Sequence, residues 1–225
     1  MKNRTTLLAL LSALALAAAT GCGSGDDGPE GGVSSLALRM EPAPQGVDSA
    51  CAQESGSCNC PNGAYARLTL VARASDGSEV AVDPSSVSWS SSDSASVEVI
   101  ADGASADVGG LRDWFDANGS EPTASVTASY AGRQASMPVT VVINASGDWN
   151  ALLDNGFSYL LSLQQSGRTI VDTGTGYSGR VAGDALTLAV SGINVNARFT
   201  SRTQVSGTYA STSGGLHGTL TCTKQ

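Results

Sequence analysis

Basic side chains are scarce in this chain. Its 12 lysine and arginine residues stand against 20 aspartate and glutamate residues, which gives a formal net charge of −8 at pH 7. Lys2 and Arg4 lie at the very start, so the rest of the chain carries a charge near −10, from 10 basic and 20 acidic residues. Phosphate backbones are bound by clusters of basic side chains. Nucleic acid is therefore a poor candidate partner, and attraction to anionic lipid headgroups is equally disfavoured.

Histidine is nearly absent, which argues against several catalytic designs. The single histidine, His217, lies in an alternating segment beside no acidic cluster, whereas a nucleophile–base–acid triad needs a histidine fixed by a carboxylate. The segment 176–179 (GYSG) misses the nucleophile-elbow pattern by one residue. Four aspartates could pair as a glycosidase dyad, but their spacing does not indicate it: Asp148, Asp154, Asp172 and Asp184. We therefore predict no enzyme, no catalytic residue and no cofactor.

Helical periodicity is rare after the first 21 residues, and aromatic residues make up only 5% of the chain. Short alternating segments broken by glycine, aspartate, asparagine and proline dominate instead, as in β-sandwiches and β-barrels. About seven such segments fall within residues 35–144, a number that suits an immunoglobulin-type sandwich. The sequence therefore predicts an all-β protein with an Ig-like β-sandwich, followed by a smaller antiparallel barrel.

The start of the chain indicates where the protein resides. Lys2 and Arg4 precede an apolar run at 7–19, and small residues then lead to Cys22. The run has the length of a signal-peptide core and is too short to span a bilayer, which takes about 20 apolar residues. This arrangement resembles the bacterial lipoprotein signal, although Ala19 stands where leucine is usual. An ordinary secretory signal that is cut elsewhere is the alternative.

The lipoprotein resemblance implies a signal peptide at 1–21 and lipidation of Cys22. Residues 22–34 hold no large apolar side chain before Val33 and are expected to form a flexible tether. Enteric lipoproteins that stay in the inner membrane carry an aspartate after the cysteine, whereas Gly23 stands here. The resemblance therefore favours the outer membrane.

Residues 35–144 contain motifs of a known domain family. A strand ends at the Asp76–Gly77 turn, and VSWSSSD (87–93), ASVTASYAG (124–132) and MPVTV (137–141) follow. These segments resemble the group 2 bacterial Ig-like domain of intimins and invasins. The resemblance implies a β-sandwich that serves as a spacer, an adhesive module or a carbohydrate-associated module. Trp89 is then expected to be a core residue between the two sheets.

Two insertions depart from that family pattern. The first covers residues 47–62 and carries three cysteines, and the second spans residues 112–122 (RDWFDANGSEP). Both are expected at the same end of the sandwich, facing the region after residue 144. Trp114 and Phe115 in the second insertion would each forgo roughly 2 kcal/mol if left in water. They either fill the sandwich end or the domain interface, or they form a partner-binding loop.

Residues 145–225 predict a second β domain. Segments of strand character recur every ten residues or so after Trp149. The Gly-x-Trp start, LSLQQSG (161–167) and VSGTY (205–209) resemble small lipocalin-like barrels of secreted bacterial lipoproteins. That resemblance implies a meander of seven or eight strands closing into a barrel, which removes exposed strand edges.

Four cysteines remain if Cys22 is lipidated, and an even number in an oxidising compartment predicts two disulfides. A bridge between Cys58 and Cys60 would be strained, so Cys51 is expected to pair with one of them. Cys222 would take the other, which gives an interdomain bridge. The alternative is a zinc site, which the Cys-x-Cys spacing and the secreted setting disfavour. The oxygen-rich segment 116–121 is only a fragment of a calcium loop, so no metal is predicted.

We therefore expect a lipid-anchored cell-envelope protein with non-catalytic β domains that bind, adhere or act as spacers. Its expected partners are the membrane, through the lipid anchor, and an envelope protein or a polysaccharide. The alternative function is a lipocalin-like carrier that holds a small apolar ligand in its C-terminal barrel. The sequence does not define an oligomeric state.

Overall fold

A computed structural model of the chain describes residues 32–41, 50–190 and 192–225. The predicted signal peptide at 1–21, the lipidation site Cys22 and most of the tether at 22–34 lie outside the described residues. The described part is all-β, as the sequence predicts, with a single short 3-10 helix at Pro84–Ser86. Within that part, no helix is both long and apolar enough to cross a membrane.

The first domain consists of two five-stranded sheets. The first sheet contains β1 (Ser35–Met40), β4 (Tyr65–Arg73), β5 (Glu79–Val80), β7 (Val97–Asp102) and β8 (Ser105–Gly110). The second contains β2 (Ala52–Glu54), β3 (Ser57–Pro61), β6 (Ser88–Ser91), β9 (Thr123–Tyr130) and β10 (Arg133–Val142).

The core of this sandwich follows from the alternation of inward and outward side chains along most of its long strands. In β4, Ala66, Leu68 and Leu70 are buried, since successive side chains of a strand point to opposite faces. β9 and β10 bury alternate residues in the same way and supply valines from the opposite sheet. Trp89 is partly buried and packs against both core clusters of the sandwich, and its indole nitrogen donates to Gly103 O at 3.0 Å.

The first insertion lies between β1 and β4 along the chain and adds a hairpin to the opposite sheet. β1 pairs antiparallel with β4, but β3, inside the insertion, pairs parallel with β10 in the other sheet. The chain therefore crosses from one sheet to the other between β1 and β2. The hairpin of β2 and β3 extends the second sheet at its edge.

The second domain is a closed, antiparallel eight-stranded barrel in which β11 pairs with β18. This confirms the predicted meander. The strands are β11 (Gly147–Leu153), β12 (Ser158–Ser166), β13 (Thr169–Asp172), β14 (Ser178–Ala182), β15 (Ala185–Val190), β16 (Ile193–Ser201), β17 (Gln204–Ser211) and β18 (His217–Lys224).

Large side chains fill the barrel interior. Trp149, Ile170, Val181 and Val205 are at most 2% exposed, and the Trp149 and Phe199 rings meet edge to face at 6.0 Å. The turn at 167–168 and the turns at 183–184 and 202–203 lie at the end that contacts the sandwich. The turn at 154–157, after β11, lies at the opposite end.

Candidate functional site

The joint between the two domains is the most elaborate polar site of the described chain. At its centre is Asp113, from the second insertion, which is only 1% exposed. Arg202, in the turn after β16, donates Nε and Nη2 to the two Asp113 oxygens at 2.9 Å each. Asn62 Nδ2 and the Phe115 backbone nitrogen donate to the same carboxylate at 3.2 and 3.0 Å. The carboxylate is therefore shared between the sandwich and the barrel.

Arg202 also forms an ion pair with Asp116, at 2.5 Å. The hydrogen bond from Arg202, together with its charge, lowers the pKa of Asp116, and the two carboxylates in turn raise the pKa of Arg202. Both shifts favour the charged forms of Asp116 and Arg202. The guanidinium thus ties together two acids of the same insertion.

Another ion pair joins the domains beside the two formed by Arg202. Arg168 forms two hydrogen bonds with Glu121, at 2.7 and 2.5 Å, and both side chains are 17% exposed. Glu121 Oε1 also accepts the Gly183 backbone N–H at 2.6 Å. Paired arginine–carboxylate hydrogen bonds fix orientation as well as distance. A fourth pair, Arg180–Glu54 at 2.6 Å, connects the barrel to the first insertion.

The linker between the domains is held by buried hydrogen bonds. Gln165, which is 4% exposed, accepts from Ala145 N at 2.6 Å and donates to Ile143 O at 3.0 Å. Ala145 O accepts from Trp149 Nε1 at 2.8 Å. In addition, Gly167 N donates to Ala50 O at 2.6 Å, so the first insertion contacts the barrel through its backbone.

Trp114 and Phe115 pack against the hydrophobic core of the barrel. Gly183, at the turn between β14 and β15, has a positive φ of 58°, and a Cβ there would come within 2.8 Å of Trp114 Cζ3. The indole therefore lies directly on this turn. Both insertions face the second domain, as the sequence predicts. For these two aromatics to bind a partner, the joint would have to open.

The pairing of Cys51 with one of the two nearby cysteines is confirmed, whereas the predicted second disulfide is not formed. Cys51 is bridged to Cys60, while Cys58 and Cys222 are free and buried. The expected interdomain disulfide through Cys222 is therefore wrong. Its physical reason is alternation along the strands, because Cys222 points into the barrel core and Cys58 into the sandwich core. What joins the domains is instead the set of ion pairs and buried amide contacts described above.

The candidate catalytic residues are dispersed. His217 is exposed at the start of β18, and each aspartate is bound by groups of its own neighbourhood. Asp154 accepts from Tyr209 Oη at 3.0 Å and from Thr219 N at 2.8 Å. Asp184 forms an ion pair with Arg198 at 2.7 Å. That the chain is not an enzyme remains a prediction.

Two of these aspartates share a donor residue. Ser162 donates its hydroxyl to Asp148 at 2.6 Å and its backbone N–H to Asp172 at 2.9 Å. Asp172 is 1% exposed. Its burial alone would raise its pKa, but the hydrogen bonds from Thr175 and Ser162 outweigh that effect and lower it. These hydrogen bonds of Asp172 stabilise the turn after β13, where Asp172 N also donates to Tyr177 O at 2.7 Å.

Exposed apolar side chains mark the barrel end that lies away from the sandwich. Phe157 is 64% exposed, Tyr159 55% and Leu160 69%. Leu152, on β11 opposite Ser158, is 49% exposed. We call these four residues the barrel tip. Sequence reasoning missed it, because an alternating strand segment does not show which of its faces remains in solvent.

Comparisons with known proteins return little. No protein-family model matches the chain, and no curated protein matches it. A solved structure titled "Structure of the S-layer protein SbsC, domains 5-6" aligns over 84% of this chain and 85% of its own, at 10% identity and a TM-score of 0.33. Similarity at this level carries no argument about fold or function.

Proposed function

We propose that this chain is a lipid-anchored protein of the cell envelope, in the outer membrane, whose two β domains act without catalysis as a spacer that presents a binding end. The sequence around Cys22 supports the anchor, and the resemblance of residues 35–144 to group 2 bacterial Ig-like domains supports an adhesive or spacer role. The partner class is an envelope protein or a polysaccharide.

The observation that carries this proposal is the placement of the two ends. Val33 O accepts a hydrogen bond from Arg133 Nε at 2.9 Å, so the tether enters beside the start of β10. β10 then runs for 10 residues, roughly 33 Å of extended chain, and its continuation at Ile143 lies in the barrel core cluster. The barrel tip lies beyond the joint, at the far end of β12. Val33, where the described chain enters the sandwich, and the barrel tip thus lie at opposite ends.

The fixed joint supports a spacer for a separate reason. Four ion pairs and several buried hydrogen bonds cross between the domains, and aromatic side chains of the sandwich pack on the barrel core. Interfaces within a chain permit relative domain motion unless they are large and apolar. A joint built from both kinds of contact holds the barrel at a set distance from the tether.

The anchor is tested by feeding cells a palmitate analogue that carries an alkyne. The full chain is expected to take up label, and Cys22→Ser is expected to take up none. Cys51→Ser serves as the control, because that cysteine also lies in the extracytoplasmic part but is expected to remain unlipidated. Equal labelling of the Cys22→Ser chain would overturn the anchor.

The binding end is tested by photo-crosslinking in intact cells. A photoreactive residue at position 160, at the tip, is compared with one at position 100, since Ile100 is 50% exposed on the sandwich. Adducts at 160 that are missing at 100 support a binding tip. Adducts at 100 alone would contradict it, and adducts at neither position would leave a pure spacer.

The carrier remains the second candidate, because a closed eight-stranded barrel is also the architecture of small-ligand carriers. Its lumen is occupied by core side chains, among them Trp149 and Phe199. A depression of about 310 Å³ crosses β15, β16 and β17, but polar Thr187, Asn196 and Thr208 are among its lining residues. A mass spectrum of an organic extract of the purified chain decides this point: a stoichiometric apolar compound would favour the carrier.

A further inference from the structure

Four sulfur atoms meet in the core of the sandwich, from Cys51, Cys58, Cys60 and Met40; we call them the sulfur cluster. The three cysteine Sγ atoms all lie within 4.8 Å of one another. Cys58 Sγ is 3.5 Å from Cys60 Sγ and 3.7 Å from Met40 Sδ. The cysteines belong to the β2–β3 hairpin region of one sheet, and Met40 ends β1 in the other. The cluster therefore spans the two sheets.

One cysteine of the cluster, Cys58, takes no part in the disulfide. The bridge uses Cys51 and Cys60, while Cys58 stays a thiol with 0% exposure. Cys58 Sγ is thus a sulfur ligand that is available without reduction, beside the two sulfurs of the bridge. A metal ion binds cysteine as the thiolate, so binding at Cys58 displaces a proton.

The spacing of the sulfurs suits a single ion. Sulfur ligands bound at about 2.3 Å to one tetrahedral or trigonal ion lie roughly 3.7–4.0 Å from each other. The two sulfur–sulfur distances around Cys58, 3.5 and 3.7 Å, fall close to that range. Small side-chain rotations would therefore suffice to bring three or four sulfurs onto one centre.

We propose that the sulfur cluster, once the Cys51–Cys60 disulfide has been reduced, binds one Cu(I) ion. Thiolate and thioether ligands together select Cu(I), whereas zinc in proteins takes cysteine, histidine and carboxylate ligands. Met40 is thus the ligand that distinguishes the two metals. This inference departs from the sequence-based expectation of no metal.

Binding of Cu(I) requires that the Cys51–Cys60 bridge is first reduced. A dithiol donates two electrons and two protons to the Cys51–Cys60 bridge and is itself oxidised to a disulfide, which leaves two protein thiols. Cu(I) then forms bonds to sulfur without changing its oxidation state, and the displaced thiol protons pass to solvent. Because an excess of negative charge in an apolar core is costly, we expect that fewer than three thiol protons are released for each Cu(I) ion bound. The disulfide and the ion exclude each other.

The test uses the full chain with Cys22→Ser, which removes the fifth cysteine. The reduced protein is freed of reductant without oxygen and titrated with Cu(I) against bicinchoninate, a coloured Cu(I) chelator. We expect one ion retained per reduced chain and none by the oxidised chain. Met40→Leu conserves volume and should weaken binding by at least roughly tenfold, and Cys58→Ser by more. Cys222→Ser is the matched control, because it removes the other buried free thiol.

Three results would overturn the proposal: no retention by the reduced chain, equal retention by the oxidised chain, or unchanged affinity in both Met40→Leu and Cys58→Ser. Loss of binding in Cys222→Ser alone would assign the ion to the barrel and overturn it as well. Near-ultraviolet circular dichroism shows whether each variant is folded. A parallel titration with zinc against a coloured zinc chelator gives the metal preference, and tighter zinc binding would contradict the role given to Met40.

Discussion

At the scale of single residues, Asp113 is the carboxylate of the joint that accepts the most hydrogen bonds. Four donors converge on its buried carboxylate. Removing one partner of a buried ion pair costs about 3–5 kcal/mol, but Arg202 is 47% exposed and regains water. We expect Asp113→Ala to lower the free energy of unfolding by roughly 2–3 kcal/mol, as measured by urea denaturation.

Asp107→Ala is the control for this variant. Asp107 pairs with Arg67 on the surface of the sandwich, with side chains 44% and 42% exposed. Exposed pairs of this kind contribute about 0–1 kcal/mol. Equal losses in the two variants would show that burial of Asp113 within the joint has no special weight.

Asp154 should make stability depend on pH. The Thr219 N–H and the Tyr209 hydroxyl bind its carboxylate and lower its pKa. A pKa that is lower in the folded chain than in the unfolded chain adds stability above the unfolded value, about 4. That stability is lost as pH falls through the folded value. Urea midpoints measured from about pH 5 to pH 2 should therefore fall less steeply for Asp154→Asn than for the wild type; identical slopes would contradict this.

At the scale of elements, the second insertion lies between the two domains and contacts both. Trp114 and Phe115 are half-buried and pack on the barrel core. Truncating two fully buried aromatics would cost more, so we expect Trp114→Ala/Phe115→Ala to lower the unfolding free energy by roughly 3–5 kcal/mol. Hydrogen exchange at residues 143–147 should also rise.

Phe157→Ala is the matched control, since this aromatic is 64% exposed at the barrel tip and should leave stability nearly unchanged. If the double variant kept full stability and yet lost a partner in pull-downs from envelope fractions, the second insertion would be a binding loop. That outcome would reverse its assignment to the joint.

The elements also show how far sequence reasoning reaches. Strand Tyr65–Arg73 and the turns at Gly77, Gly103 and Gly132 are evident from local alternation and turn residues. The parallel pairing of β3 with β10 is not evident, because the choice of a partner strand is a long-range property. For the same reason the pairing of Cys222 was wrongly expected. Whether the Cys222 side chain points into the barrel or out of it depends on the register of its strand, which no local sequence signal defines.

The joint was equally hard to foresee. Asp113, Glu121 and Arg202 look like ordinary charged residues of loops, for which solvent exposure is the default. Their burial arises only when the two domains meet. The position of the two insertions at one end of the sandwich could be inferred from strand order, but not which charges face each other.

At the scale of the whole molecule, the end-to-end arrangement of the two domains predicts the distance from the start of the sandwich to the barrel tip. β10 spans roughly 33 Å, and the nine residues of β12 add roughly 23 Å along the axis at a strand tilt of about 40°. Spin labels at positions 35 and 158, both exposed, should therefore lie roughly 50–60 Å apart in a narrow distribution. A broad distribution would contradict a fixed joint, and a mean below about 40 Å would contradict the arrangement itself.

The two free thiols of the described residues give each domain a reporter of its own. Cys58 is sealed in the sandwich and Cys222 in the barrel, so neither reacts with an alkylating reagent until its domain opens. Labelling rates at the two positions then measure two local opening free energies within one sample. If the rates rise and fall together across denaturant concentrations, the domains open as one cooperative unit. If they diverge, the faster rate identifies the domain that opens first, without any substitution in the chain.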